Sequence, residues 1–297
     1  MFVEDNLISC IEQYRGKFSK GQRRIAEYIR DHYETAAFMT AFRLGETVGV
    51  SESTVVRFAA ELGFDGYPEL QRAMQKLTRS RLTSVQRVDV ARERMGDDEV
   101  AQTVMSCDIQ NIRKTLSELS EAQFSETVEA IVAARRVYIF GAGSCQALAS
   151  FLAFYLNFLI PDVKLITPGG EAEILEQIIH VDEKDVMIGI SFPRYSSRSA
   201  KTLHFAKTRG ARVVAITDSA VSPIARLADD CLLAHSDMAT IVDSLVAPMS
   251  IINALLVAVS LKRQNENRPI LNQLEEVWET YKVYQPFRDE AADGDVL

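Results

Sequence analysis

Val137-Tyr-Ile-Phe-Gly-Ala-Gly-Ser-Cys-Gln146, running on through the apolar residues Ala147 to Ile160, reads as a buried strand, a tight glycine turn and a long helix. Val137 to Phe140 is a short continuous apolar run, as expected of a parallel sheet covered on both faces. Gly141 and Gly143 let the backbone turn sharply and approach a ligand closely. Ser144 falls at the helix start, where unpaired amides and the positive end of the helix dipole favour an anion. The unit has the makings of a phosphate seat, although glycine turns that serve only close packing are common. Dinucleotide binding is disfavoured, because the third glycine of its fingerprint would fall at Gln146 and the next strand ends in Thr167-Pro-Gly-Gly170 instead of an acidic residue. A lysine-bearing phosphate loop is absent too, so no nucleotide cofactor is indicated.

Downstream, strand and helix alternate. Strands are expected at Val163 to Thr167, Val186 to Ser191, Arg212 to Thr217 and Cys231 to Ala234, with helices at Glu171 to Ile179, Ser197 to Arg209 and Ser222 to Ala228. Such alternation implies a parallel sheet with helices on both faces, and ligands of such sheets sit at the carboxyl ends of the strands. The loops after Phe140 and after Ser191 are therefore the ones to inspect. The second, Ser191-Phe-Pro-Arg-Tyr-Ser-Ser-Arg-Ser199, offers hydroxyls at Ser191, Ser196 and Ser197 and a guanidinium at Arg194, at the start of a helix. Hydroxyl donors, helix N-terminal amides and charged forks are what hold a phosphate monoester. Serines of this kind also serve as plain helix caps.

The N-terminal part reads differently. Leu7, Ile8, Ile11 and Tyr14 recur at helical spacing within a helix expected from Val3 to Tyr14. A second helix follows Ser19 as N-cap and buries Ile25, Ala26 and Ile29, leaving Arg23, Arg24 and Arg30 outside. Thr40 to Leu62 then has the form of a helix-turn-helix: Leu44 and Val48 give the first helix its apolar face, Gly49 the turn and Val50 the corner plug. Ser51 caps a second helix with Val55, Phe58 and Leu62 inward, and Gly63 stops it. Ser51, Ser53, Thr54 and Arg57 are the candidates to meet base edges in a major groove, where an arginine fork suits guanine. The competing reading is an ordinary helical hairpin with a solvated polar face. A helix from Pro68 carries Arg72, Lys76, Arg79 and Arg81, a basic stripe suited to phosphates or simply to water.

Composition sets limits on this picture. The 297 residues allow two domains, and 47% apolar with 25% charged residues is ordinary for a globular protein. The net charge of -8 lies in the body: residues 1–81 carry 12 basic against 11 acidic side chains. Cys10, Cys107, Cys145 and Cys231 are scattered, which indicates neither a disulfide framework nor a zinc site and fits a reducing cytosol. No signal peptide is visible, and Leu148 to Ile160 and Ile241 to Leu261 read as buried helices and not as membrane spans. Residues 82–97 read as a linker. Asp98 to Leu119 is expected to be a helix with Val100, Val104, Ile112, Leu116 and Leu119 as a broken stripe, bracing the sheet or pairing between subunits. Another helix follows through Val132. The organisation expected is an all-α helix-turn-helix domain over 1–81, the linker over 82–97, an α/β domain over 98–284 with a parallel sheet and helices on both faces, and an acidic tail over 285–297.

Four stretches together resemble the RpiR family of bacterial transcriptional regulators: Gln22-Arg-Arg-Ile-Ala-Glu-Tyr-Ile29, Val50-Ser-Glu-Ser-Thr-Val-Val-Arg-Phe58 with Leu62-Gly-Phe-Asp-Gly-Tyr67, Phe140-Gly-Ala-Gly-Ser-Cys145, and Ala215-Ile-Thr-Asp-Ser219. The resemblance implies a helix-turn-helix domain joined to a sugar-isomerase (SIS) domain, in a homodimer or homotetramer whose affinity for double-stranded operator DNA changes with a bound phosphosugar. It implies ligand contacts from Ser144, Ser191 and Ser196, with Cys145 where a second serine is usual; Gly143, Ser197 and Arg194 are candidates from the loops themselves, Arg194 either as a phosphate clamp or turned outward. Pro193 and Arg194 depart from the usual Ser-Gly of the second loop, and Gly45 stands where the pattern favours alanine. A phosphosugar aldose-ketose isomerase on the same sheet is the rival, with Glu171, Glu173 or His180 as its base. An isomerase has no use for a DNA-reading head, so no catalytic role is expected; with both long apolar segments read as buried helices, no membrane partner is expected either.

Overall fold

The computed structural model describes residues 7–14, 16–78, 100–167, 169–237 and 242–284. Arg79, Arg81, the linker expected over 82–97 and the tail from Gln285 lie outside the described residues. Contacts group the chain into two units. One gathers Met1–Asn111 with the short segments Phe192–Tyr195 and Ser236–Ser244; the other gathers Ile112–Ser191, Ser196–His235 and Leu245–Leu297.

The first unit is built on helices α1 (Leu7–Tyr14), α2 (Lys20–Asp31), α3 (Tyr33–Ala36), α4 (Ala41–Val48), α5 (Glu52–Glu61) and α6 (Tyr67–Thr78). Ser19 opens α2 with a complete capping box, its hydroxyl accepting from the Gln22 amide while the Gln22 side chain accepts from the Ser19 amide. Ile25, Ile29, Leu44, Val55, Phe58, Leu62, Leu70 and Met74 close one core, in which the Phe18 and Phe58 rings stand 5.1 Å apart. Gly49, at φ 67°, ends α4 in the left-handed conformation that frees the chain to turn. Along α6, Tyr67 and Gln71 donate to the Met39 carbonyl and Gln75 to that of Ala37, at 2.8, 2.7 and 3.0 Å. The spacing of four puts these three on one face, where they satisfy carbonyls that follow α3. Burial raises the pKa of the Tyr67 phenol.

In the second unit, strands β1 (Arg136–Gly141), β2 (Val163–Leu165), β3 (Asp185–Ile190), β4 (Arg212–Thr217) and β5 (Asp230–Leu233) form a parallel sheet in the order β2-β1-β3-β4-β5. Its helices among the described residues include α8 (Glu121–Ala133), α9 (Cys145–Leu156), α10 (Glu171–Gln177), α11 (Ser197–Thr208), α12 (Val246–Lys262) and α13 (Gln264–Thr280); α7 (Val100–Glu118) precedes them. Tyr138, Phe140, Met187, Val213 and Ala215 pack with Ile174 of α10 and Leu203 of α11 on one face. Helices α8, α9 and α12 cover the other. At the amino ends of the strands Arg135 makes a bidentate pair with Asp185, and Arg212 with Asp230, so the buried carboxylates are neutralised where the strands begin.

Several expectations need correction. The stretch Ser222 to Ala228 holds only a 3-10 turn, Ala225–Leu227, which ends where Ala228 takes an extended backbone. The helix expected from Ile241 begins at Val246, and α13 was not anticipated. The apolar stripe expected on α7 is only partly covered: Val104, Ile112 and Leu119 are half-buried, Val100 is exposed and Leu116 is 71% exposed, whereas Asn111 and Thr115 are buried. The cause is hydrogen bonding. The Thr115 hydroxyl accepts from the His235 amide at 2.8 Å, and Gln123 of α8 accepts from the Cys231 amide at 2.8 Å. In the first unit Asn111 both donates to and accepts from the Asp237 backbone. These side chains satisfy edge amides of β5 and its continuation, and an unpaired buried amide costs about as much as a leucine left in water. Among the described residues no single helix is long and apolar enough to cross a membrane.

Candidate ligand seat and DNA-reading helix

Strand order reverses between β1 and β3, and their last paired residues are Gly141 and Ile190. The turn after β1 and the loop after β3 therefore leave the sheet side by side at the switch point, where open α/β sheets bind ligands. The two glycines of the first turn have different reasons. A Cβ on Gly141 would lie 2.4 Å from the Cys145 carbonyl oxygen, so only glycine lets strand and helix approach this closely. Gly143 has φ 62° with no atom within 4 Å of a would-be Cβ, so there the backbone angle is what demands glycine, and the space above it is open.

Ser144 is the exposed N-cap residue of α9, and its hydroxyl makes no capping bond. The next residue, Cys145, turns its thiol into the core. In the second loop Ser191 is buried and its hydroxyl accepts from the Ser196 amide at 3.4 Å, which pins the loop to the strand end. Ser196 is the N-cap of α11 without a side-chain capping bond, Ser197 is exposed, and the buried Ser199 hydroxyl lacks a partner. Arg194 is exposed at φ 68°, the left-handed region that non-glycine residues rarely enter. The chain thus keeps a glycine-like backbone where it carries an arginine. Sequence reasoning had no signal for that angle. The groups nominated for isomerase chemistry have other partners: Glu171 is paired with Lys201, and Glu173 accepts from the Gly170 amide at 3.0 Å in a capping arrangement. His180 is exposed beyond α10.

In the first unit, Val55, Phe58 and Ala59 are buried, and this fixes the rotation of α5. Ser53, Val56, Arg57 and Ala60 then stand on the outer face. Arg57 folds back along the helix, its Nε donating to the Ser53 carbonyl at 3.3 Å, and Arg72 does the same to Pro68 on α6. Ser51 occupies the N-cap position of α5 but makes no capping bond; its hydroxyl lies 2.9 Å from that of Ser53 and 2.8 Å from that of Thr54. Thr54 is half-buried, with Gly21 of α2 packed so near that a Cβ there would meet the Thr54 methyl at 3.3 Å. Arg24 donates to the Gly49 carbonyl at 3.1 Å and so braces the turn. Lys76 belongs to α6, and the description extends to its backbone only. Val56 is a residue that sequence reasoning passed over; its place one turn from Ser53 and beside Arg57 was the available signal.

Family models match both halves of the chain. One described as "Helix-turn-helix domain, rpiR family" matches residues 5–80, and one described as "SIS domain" matches residues 130–258. The chain belongs to the RpiR family. It is, with that family, a helix-turn-helix transcriptional regulator carrying an SIS domain. One relative is the HTH-type transcriptional regulator HexR of Pseudomonas aeruginosa, 24% identical over 283 residues, which span 91% of this chain and 95% of that one. Among solved structures, the sugar isomerase domain of an RpiR transcription factor from Sphaerobacter thermophilus is 30% identical with a TM-score of 0.58, covering 60% of this chain and 99% of that one. The NanR protein of Vibrio vulnificus, solved in complex with ManNAc-6P, shares the fold over 93% of this chain and 99% of its own at 19% identity and a TM-score of 0.54.

Proposed function

We propose that this RpiR-family chain is a cytoplasmic regulator of carbohydrate metabolism whose operator affinity is set by a phosphosugar held at the β1/β3 switch point. The observation that carries this reading is the meeting of two polar loops at adjacent strand ends, one with the open Gly143-Ser144 turn and one with the hydroxyls of Ser191, Ser196 and Ser197. In this reading the phosphate sits at the positive end of the α9 dipole against the Ser144 hydroxyl, the Cys145 amide being held by the Ala142 carbonyl at 3.3 Å; Arg194 supplies a cation from the second loop. NanR, which has the same fold, holds a phosphosugar, and this adds support for the ligand class. The ligand acts through its differential affinity for two conformations, and coupling of about 1–3 kcal/mol is typical of such switches.

On the DNA side, Ser51, Ser53, Thr54 and Arg57 are the proposed base-reading set, with Arg72 and Lys76 toward phosphates. A two-fold homodimer, or a homotetramer of two such pairs, would read inverted half-sites with centres about 34–36 Å apart. No turnover of sugar phosphates is proposed, because Glu171 and Glu173 are engaged in an ion pair and a cap.

The test is fluorescence anisotropy of the purified chain on duplex DNA from upstream of its own gene, at fixed salt because phosphate contacts are salt-dependent. Sugar phosphates are then added one by one. Arg57→Ala is expected to weaken binding by about 1–3 kcal/mol. Ser144→Ala is expected to keep operator affinity and lose the response to ligand. Loss of DNA binding in a folded Ser144→Ala protein would refute separate reader and sensor sites. Steady isomerisation abolished by changing Glu171, Glu173 or His180 would replace the regulator reading with an enzyme.

A further inference from the structure

Among the residues of 7–78 whose side chains are described, the large apolar ones left exposed are Phe42, at 62%, and Val56, at 41%. Val56 stands on the outer face of α5, three residues after Ser53, next to Arg57 and four residues before Ala60. Its direction is fixed twice over. Val55, Phe58 and Ala59 bury the opposite face, and the Arg57 side chain is drawn toward the helix start by its bond to Ser53, away from the following turn. A β-branched side chain in a helix holds essentially one rotamer, so the two Val56 methyls are presented in a set position. Ala60, one turn further on, is too small to cover them.

A helix lying in the major groove meets four kinds of base edge, and three of them are polar throughout. Thymine alone among the standard bases adds a methyl group, which an alkyl side chain can cover without stranding a donor or acceptor. We propose that Val56 is a specificity-determining residue that packs on the 5-methyl of a thymine in the operator, next to the base contacted by Arg57. This rests on the reading of α5 as the DNA-reading helix. It makes the recognition face two-part: a polar fork at Arg57 and an apolar selector at Val56, which disfavours cytosine at the same step because cytosine lacks the methyl and presents an amino donor.

The full-length protein is used to select duplexes from a random library, and each thymine of the selected sequence is then replaced singly by uracil, which removes only the methyl. Anisotropy at fixed salt compares wild type, Val56→Ala, Val56→Thr and Arg57→Ala. Burying about one methyl-sized group corresponds to roughly fourfold in affinity. At one or more thymines uracil should weaken the wild type about that much, while leaving Val56→Ala unchanged; Val56→Thr, equal in shape but polar, should fall between them. Val56 is exposed and alanine favours helix, so loss of fold does not confound the comparison. If every uracil substitution falls equally on wild type and Val56→Ala, the proposal is wrong while the reader stands. If no sequence is enriched, or Arg57→Ala binds the selected duplex as tightly as wild type, the reader itself is misplaced and the proposal goes with it.

Discussion

Helix α5 and the pair of loops at the β1/β3 switch point both follow from short sequence motifs, yet their side chains were legible to different degrees. On α5 three buried residues set the rotation, and the outward face follows from a period of 3.6. At the switch point neighbouring residues part company: Ser144 faces out and Cys145 in, while Ser191 is buried and Ser197 exposed. A loop has no period, so its side-chain directions come from individual contacts. The glycines show the same contrast, since Gly141 is required by what lies next to it and Gly143 by its own backbone angle.

The largest expected effect separates those two glycines. Gly141→Ala drives a Cβ to 2.4 Å from the Cys145 carbonyl and 3.2 Å from the Ala149 Cβ, so the first turn of α9 must move. Overpacking of this kind costs about 3 kcal/mol, and the proposed phosphate seat shifts with the helix. Gly143→Ala meets no atom and should cost only about 1 kcal/mol from the left-handed angle. Urea unfolding of both variants measures the difference; equal losses would mean that the close strand–helix approach is not what Gly141 provides.

Gly45 extends the comparison to the reader. Alanine inside a helix normally gains about 1 kcal/mol over glycine. Here the added Cβ would stand 2.8 Å from the Val50 carbonyl oxygen, which is backbone and cannot swing away. Gly45→Ala should therefore lose about 1 kcal/mol net, and weaken operator binding because the turn aims α5. A stabilised variant would show that the turn has room to adjust. Smaller still is Arg194→Gly. The left-handed angle at Arg194 costs about 1 kcal/mol that glycine would relieve, offset by the contacts the side chain makes, so stability should change by less than about 1 kcal/mol. The response to sugar phosphate should fall all the same. An unchanged response would remove Arg194 from the ligand contacts.

Legibility followed the same divide. The Ser19 capping box, the Gly49 turn, the inward set of α5 and the Arg212–Thr217 strand all stand where local chemistry put them. Helix α7 did so only in part: its sequence carries leucine, isoleucine and valine at helical spacing, while its buried Thr115 and Asn111 accept from the amides of His235 and Asp237. That demand lies more than a hundred residues away in the chain and leaves no local trace. Helix α13 escaped for a different reason: Pro269 sits inside it and Asn267 is its buried residue, so neither an uninterrupted helical run nor an apolar stripe toward the core announces it. For the candidate site, the sequence nominated residues without their orientations: the hydroxyls of Ser51 and Thr54 are engaged with one another, and Cys145 is buried.

The smallest effect tests the edge strand β5, whose Cys231 amide is held by α8. Cys231 lies on β5 with its amide held by Gln123, and burial, reinforced by the charge of Asp218, pushes its thiol up to about 11 from an ordinary 9.0. A raised folded-state pKa means that the unfolded chain releases this proton first. Between pH 9 and about 11 the folded state holds more protons than the unfolded one, so stability falls as pH rises through that window. The contribution is fully present below pH 9 and gone above about 11. Because Cys231 is only half-buried, water screens part of the effect and the slope should be shallow. Urea midpoints at pH 8, 9, 10 and 11 would show a smaller decline in Cys231→Ala than in the wild type, since lysines and tyrosines titrate alike in both. Identical declines would mean that the thiol is as well solvated in the folded chain as in the unfolded one, and that α8 does not seal the β5 edge as the Gln123 contact implies.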